Sequence, residues 1–407
     1  MIVLKATQEK VLSALQSVSG IVERRHTLPV LANVLIRKTG AQIELTTSDL
    51  EIQVRTMAEL GGDGGNFATT VGARKLIDIL RSMPADQTVS LSATQNKLTL
   101  QGGKSRFTLQ TLPSDDFPLV QEAADFGPMF SVPQKTLKLL VNQVHFAMAV
   151  HDIRYYLNGI LFVAEGKNLT LVATDGHRLA LAQATLDNEI PKQEVILPRK
   201  TVLELQRLLK DEDTPIEMRF AGNQAKFSFS GMEFVTKLVE GKFPDYNRVI
   251  PKNHKNAVTL GRAPLLASLQ RAAILTSEKF KGVRVNLEPG SLRIASSNAE
   301  QEEAKEEHRL RRRQHRDRFQ RHLPDRRDAQ HEPGDGQAGI AGHEFERADH
   351  GAGAGGLQVR GDADAHLMRP IDSTTKRAAA RFSVFKGTAI AVMPLPEAAR
   401  TTDRTAT

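Results

Sequence analysis

Asp175, His177 and Arg178 lie within four residues of one another in ATDGHRLA. A carboxylate, an imidazole and a guanidinium so close could serve metal or general-base chemistry, given partners placed by the fold. The stretch has relatives inside the chain, TSDLEI at 47–52 and SSNAEQ at 296–301, and neither repeats the histidine. Turn formation by Asp, Gly and Asn explains all three stretches without catalysis. A second candidate is HRLRRRQHRDRFQRHLPDRRDAQHEPGDGQ, residues 308–337, where Arg and His crowd a run almost free of apolar side chains. It reads either as a basic arm for nucleic acid or as a metal site. His315, His322, His331 and His343 lack regular ligand spacing, so no metal is expected. HDIRYYLNG, residues 151–159, places two of the chain's three Tyr beside Arg154 and His151.

Composition narrows the chemistry. With no Cys there is no disulfide framework, thiolate-bound zinc or thiol nucleophile, which suits a reducing cytoplasm. Walker A, GxGxxG, HExxH and GxSxG patterns are missing, so neither catalytic residues nor a cofactor is expected. The first residues, MIVLKATQEKVLSAL, interrupt every apolar run with charge and do not read as a signal peptide. No stretch approaches 18 apolar residues, so no membrane span is expected. The net charge of +8 is uneven: residues 308–407 carry 18 Lys and Arg against 13 Asp and Glu, leaving only +3 on the first 307. Charge alone is weak evidence that the body binds nucleic acid.

The elements that position these residues recur. NVLIRKTGAQIELTTSDLEI (33–52), NGILFVAEGKNLTLVATDGHRLAL (158–181) and KGVRVNLEPGSLRIASSNAEQEEA (281–304) each read as strand, turn, strand and polar turn. Asp49, Asp175 and Asn298 close the second strand at spacings of 126 and 123. Arg74-Lys75 and Arg199-Lys200 open amphipathic helices 125 apart, and Phe117-Pro118 and Phe243-Pro244 lie 126 apart. A leading helix occurs three times, as QEKVLSALQSV, PQKTLKLLVNQV and APLLASLQRAA. The pattern predicts three α+β domains with antiparallel sheets, over 1–123, 127–247 and 254 onward, of which 254–307 is the first half of the third, followed by a tail at 308–407. On the second helix of the first copy, Leu76, Ile79, Leu80 and Met83 form the expected buried stripe, while Arg74 and Arg81 share an outer face. Lys200 and Arg207 repeat that spacing in the second copy. A cationic helix face recurring without base-reading side chains suits phosphate contact.

RYYLNG, ATDGHRLA, FPDYNRVIPK, RAAILTSEKFKGVR and NAEQEEAKEE occur in an order and spacing that resemble the beta subunit of bacterial DNA polymerase III, the sliding clamps. The resemblance covers residues 1 to about 307. It implies a head-to-tail homodimeric ring of six similar domains around double-stranded DNA, with helices lining the hole and sheets forming the rim. It implies a tether for the replicative polymerase, not an enzyme, with the clamp loader and other proteins bearing a clamp-binding motif as further partners. Arg25, Arg74, His151, Tyr155 and Tyr156 match DNA-contacting positions, although the family often has Gln at 151. Leu157, Thr174, Gly176, His177, Arg178, Leu179, Pro244, Arg248 and Val249 match a pocket for partner peptides. Ile274 and Leu275 match the ring-closing surface of the third domain, which meets Arg106, Phe107 and Leu109 of a second copy.

The tail departs from that pattern. Codons can be chosen for LQVRGDADAHL, residues 357–367, that read one nucleotide later as F-K-Y-V-V-M-P-M-R-I and a stop, resembling the family's Tyr-Val-Val-Met-Pro-Met-Arg ending. The same shift lets HRDRFQRHLPDRR, residues 315–327, read I-E-I-G-F-N-V-T-Y-L-I-D-A, a strand followed by the start of a helix. The sequence thus points to a frame change near Glu307, read-through past Leu367, and disorder over 308–407, where 308–356 hold only five Leu, Ile, Val or Phe. As written, the third domain would lack half its core and close a ring poorly. Two rival readings follow from the residues: a DNA-binding regulator that uses the basic tail, and a DNA-processing enzyme built on Asp49, Asp175 and His177.

Overall fold

The computed structural model describes residues 1–23, 28–250, 256–276, 282–288, 290–309, 337–342, 357–359, 380–385 and 388–394. The chain divides into two compact units. One comprises residues 1–145, 153–168 and 186–243; the other comprises 146–152, 169–185 and 244–407.

The first unit holds the first copy of the repeat and most of the second, whose residues 146–152 and 169–185 belong to the other unit. In the first, β1 (Ile2–Thr7) and α1 (Gln8–Val18) precede β2 (Asn33–Thr39), β3 (Gln42–Ser48), β4 (Ile52–Glu59) and β5 (Asn66–Gly72). Then come α2 (Ala73–Arg81), β6 (Thr88–Thr94), β7 (Lys97–Gly102) and β8 (Ser105–Leu112). The second copy has β9 (Phe130–Pro133), α3 (Gln134–Val144), the long segments β10 (Gly159–Thr174) and β11 (Arg178–Pro198), and α4 (Arg199–Leu208). It ends with β12 (Pro215–Phe220), β13 (Gln224–Phe229) and β14 (Met232–Lys237). Twelve of these strands form one sheet in the order β1-β6-β7-β8-β5-β2-β3-β4-β14-β13-β12-β9. The copies join where β14 pairs antiparallel with β4, Met232 opposite Thr56 and Thr236 opposite Ile52. An ion cluster of Arg55, Glu122, Lys226 and Glu233 lies over that seam. Its side chains are about a third exposed or less, so its contribution is modest.

Alternation along the strands puts Leu4, Ile36, Leu45, Leu91 and Leu100 inside the first copy, against Val11, Leu15 and Leu76 of its helices. On α2 the buried residues are Ala73, Leu76, Ile77 and Leu80. Ile79 was expected in that stripe, but it is only half-buried, because at 100° per residue Ile77 lies nearer the line through 73, 76 and 80. On α3 the expected Leu137, Leu140, Val141 and Val144 are all buried. Phe130, Phe162, Phe220, Phe227 and Phe234 form a chain of ring contacts at 5.3–6.3 Å through the second copy.

The second unit contains the third copy: β15 (Asn256–Gly261), α5 (Arg262–Ala273), β16 (Val283–Glu288), β17 (Ser291–Ser297) and β18 (Glu303–Arg309). Its described core is Leu260, Ala272, Leu292 and Ile294, flanked by half-buried Leu265, Leu269, Val283 and Val285. Four further strand segments follow, β19 (Gln337–Gly342), β20 (Leu357–Val359), β21 (Ala380–Phe385) and β22 (Thr388–Pro394). Two of their pairings, β11 with β22 and β19 with β21, are parallel in an otherwise antiparallel fold. The expected tail disorder, and the histidines at 315, 322, 331 and 343, fall on or mostly on residues outside the described ones. Among the described residues no helix is long and apolar enough to cross a membrane.

Candidate nucleic-acid interface

The cationic helix faces come first. Arg74 is exposed at the start of α2, and its Nη2 donates to the Val22 carbonyl at 2.7 Å, which aims the guanidinium. With Lys75, Arg81 and Arg207 it lines an open cleft of about 1240 Å³ between the end of α1, α2 and β8. Four cations there face two carboxylates, Glu23 and Asp78. Arg25 lies outside the described residues.

Lys200 and Arg207 share a face as the spacing predicts, but that face meets protein. Lys200 Nζ reaches Glu23 at 2.6 Å and the buried carboxylate of Asp49 at 2.5 Å. Burial opposes charge on Lys200, but hydrogen bonds and charge from Asp49 and Glu23 outweigh it and raise its pKa. Arg207 grips Glu204 at 2.5 and 3.0 Å and donates to the carbonyls of Gln16 and Ser17 in the last turn of α1. A cation there satisfies orphan carbonyls and opposes the negative end of the helix. Arg207 therefore staples α4 of the second copy to α1 of the first, and Lys200 ties α4 to Glu23 and the Asp49 turn, which corrects their reading as a free outer face. The i,i+3 spacing of Glu204 and Arg207 was a usable signal for half of this arrangement.

Tyr155 and Tyr156 occupy a short 3-10 turn, Tyr155–Leu157. Their rings meet edge to face at 5.9 Å, with Tyr155 57% exposed and Leu157 buried beneath. Gly241, at φ 118, passes the Tyr155 ring so closely that an added methyl would touch it at 3.6 Å. An exposed, supported aromatic face beside Arg154 suits stacking or sugar-phosphate contact. In the other unit His151 is exposed at φ 54, a left-handed backbone uncommon for a non-glycine residue.

The suspected catalytic stretch is a closed turn. Asp175 Oδ1 accepts the N–H groups of His177 and Arg178, both at 2.9 Å, and its Oδ2 takes Arg178 Nε at 3.0 Å. Thr174 Oγ1 donates to the Arg178 carbonyl and accepts from Gly176 N–H. The Arg178 guanidinium lies 5.8 Å above the Phe146 ring. Asp49 caps Glu51 and Ile52 N–H in the same way, and Asn298 caps Glu300 and Glu302 N–H. Three equivalent residues thus do one structural job, and a carboxylate committed to backbone donors is a poor general base. Leu179 is buried and His177 exposed. Further along the same unit, Pro244, Arg248 and Val249 are exposed around the turn Tyr246–Arg248, capped by Asp245.

Of the expected ring-closing residues, Arg106, Phe107 and Leu109 lie on β8, which pairs with β7 along its length but with β5 only at Thr111 and Leu112. One edge of β8 is therefore unpaired among the described strands. Ile274, directly after α5, is 75% exposed, and Leu275 is half-buried.

Two repeats joined strand to strand in one twelve-stranded sheet, beside a helix that presents Arg74 to an open cleft, give the architecture of the DNA-clamp class. The family models for the DNA polymerase III beta subunit match in series: the N-terminal domain at residues 3–121, the central domain at 131–245 and the C-terminal domain at 247–314. The beta sliding clamp of Pseudomonas aeruginosa is 45% identical over 308 residues, spanning 74% of this chain and 82% of that one. That of Escherichia coli K12 is 41% identical over 299 residues, spanning 74% and 81%. A crystal structure of the Pseudomonas aeruginosa beta subunit superposes with a TM-score of 0.71 at 42% identity, covering 76% of this chain and 84% of its own. The chain belongs to the DNA polymerase III beta subunit family, the beta sliding clamps.

Proposed function

We propose that the chain encircles duplex DNA, without reading its sequence, and tethers the replicative polymerase to it. As a beta sliding clamp it is a non-catalytic processivity subunit that holds polymerase III for continuous replication. The observation that carries the reading is the serial match of all three domain models to a chain built from one repeat.

In this proposal Arg74, Tyr155, Tyr156, His151 and Arg25 contact phosphates. Arg74 and Tyr155 are supported by their exposure and pinned geometry. Thr174, Gly176, His177, Arg178, Leu179, Pro244, Arg248 and Val249, with Leu157, receive an apolar partner motif carried by the polymerase, the clamp loader and other clamp-binding proteins. The unpaired edge of β8 with Arg106, Phe107 and Leu109, and Ile274 and Leu275 after α5, close a homodimer. The work is cytoplasmic.

The test uses the protein purified from its own cells, loaded on nicked circular duplex and followed by gel filtration. Retention on circles at high salt, lost on linearisation, supports tethering. Salt-sensitive retention that is equal on circular and linear DNA would overturn it in favour of a basic DNA-binding protein.

A further inference from the structure

We propose that the coding sequence is read one nucleotide out of register from a point between Glu307 and His315. The native chain would then have a complete third repeat and end near Leu367 instead of carrying the Arg-rich run.

The first observation is that, among the described residues, no second helix packs on α5. In the first copy α1 packs against α2, and in the second α3 packs against α4. The paired leading helices bury their apolar faces: Val11, Leu15 and Val18 on α1, and Leu137, Leu140, Val141 and Val144 on α3. On α5, Leu265, Leu266 and Leu269 stay half-buried, and only Ser268 and Ala272 are buried. The third copy has the hairpins and the leading helix, but the described residues give it no second helix.

The chain's own repeats say where that helix belongs. The residue before the second helix is Gly72 in the first copy and Pro198 in the second, each 23 positions after the turn residue, Asp49 or Asp175. In the third copy the count from Asn298 leads into HRDRFQRHLPDRR, which as written has two Leu, Ile, Val or Phe in 13 residues. Shifted by one nucleotide it can read I-E-I-G-F-N-V-T-Y-L-I-D-A, with six. Its Gly falls on the codon of Arg318, 20 positions after Asn298.

The genetic code explains the odd composition. Arg codons of the CGN type become GNN, which encodes Val, Ala, Gly, Asp or Glu. His and Asp codons, CAY and GAY, become AYN, which encodes Ile, Thr or Met. A run rich in Arg, His and Asp is thus the shifted image of a run rich in Val, Ile, Gly and Ala, the composition of strands and helix faces. The written run has no such pattern, while β18 just before it still alternates exposed and half-buried residues against β17 up to Arg309.

The comparisons break at the same place. The family match runs unbroken through two whole domains and stops at 314 in the third. The Pseudomonas aeruginosa relative is matched over 82% of its length, although this chain continues for some ninety residues past the break.

The test is to sequence the native gene from codon 295 to codon 410 and measure the intact mass of the protein from the same cells. The expected result is a coding difference near codon 307 that is not a multiple of three, with a mass near 40 kDa instead of 44.8 kDa. A gene that reads as written with a mass near 40 kDa also supports the proposal, the shift then occurring in translation. A gene that reads as written with a mass of 44.8 kDa overturns it. Neither readout involves DNA retention, so failure here is distinguishable from failure of the tethering reading.

Discussion

Gly20→Ala should destabilise the seam between the first two repeats, and Glu204→Ala should reverse the sign of that effect. Gly20 sits in the right-handed 3-10 turn Ser19–Ile21 that ends α1. A methyl carbon there would fall inside contact distance of both carboxylate oxygens of Glu204. Glu204 is held by Arg207 and only 7% of its side chain is exposed, so the carboxylate must swing away and the ion pair must break. A charged hydrogen-bonded pair contributes about 1.5–3 kcal/mol when buried, and the 41% exposure of Arg207 moves this pair to the low end. Alanine in a helical backbone returns about 0.5–1 kcal/mol over glycine. The net expectation for Gly20→Ala is a loss of about 1 kcal/mol. In a Glu204→Ala background the obstruction is gone and only the alanine gain remains, so the same substitution should stabilise by about 0.5 kcal/mol. The coupling between the two sites should thus be roughly 1.5 kcal/mol. Global unfolding of a multidomain chain is not two-state, so the assay is native-state hydrogen exchange at amides of the last turn of α1 and of α4. If Gly20→Ala costs as much without Glu204 as with it, the methyl is meeting backbone, and the seam does not work as described.

The remaining predictions concern charge, DNA and partners. Hydrogen bonds from Arg271 hold the Glu306 carboxyl at about 2, well below the usual carboxylate range. A depressed folded value means stability that is complete above about pH 4.3 and lost as pH falls towards 2. Exchange protection in α5 and β18 should therefore fall across that window in the native protein and be flat in Glu306→Gln; equal slopes would rule out the linkage. Burial lowers the pKa of His145, so the seam of α3 and α4 should weaken as pH drops below about 6.5, and His145→Gln should remove that dependence. Arg74→Ala should weaken DNA retention equally on all sequences and reduce the slope of log affinity against log salt by about 1; an unchanged slope would remove Arg74 from the phosphate contacts. Arg178→Ala should abolish binding of a clamp-binding peptide while leaving retention on circular DNA intact, and loss of both would mean that its role is structural.

Which parts of this were legible in the sequence follows from how far each interaction reaches along the chain. The repeat, the hairpins and the buried face of α3 are local, set by periods of 2 and 3.6 residues, and those patterns need no tertiary information. The turn residues Asp49, Asp175 and Asn298 were readable for the same reason: each captures backbone N–H groups two to four positions ahead. The cations were not. Lys200 and Arg207 have the spacing of a solvent-facing pair, but their partners are Glu23, 177 positions away, and the carbonyls of Gln16 and Ser17, 190 or more away. Periodicity tells which face of a helix is polar, not whether that face meets water, DNA or another helix end. Arg74, tied to Val22 by one nitrogen and otherwise exposed, keeps the outer face that the repeated basic spacing suggested, as does Arg81. A repeated charge in a domain array is therefore ambiguous between a shared ligand surface and a shared seam. Here the first copy turns its cations to the cleft, while the second uses them to hold the first.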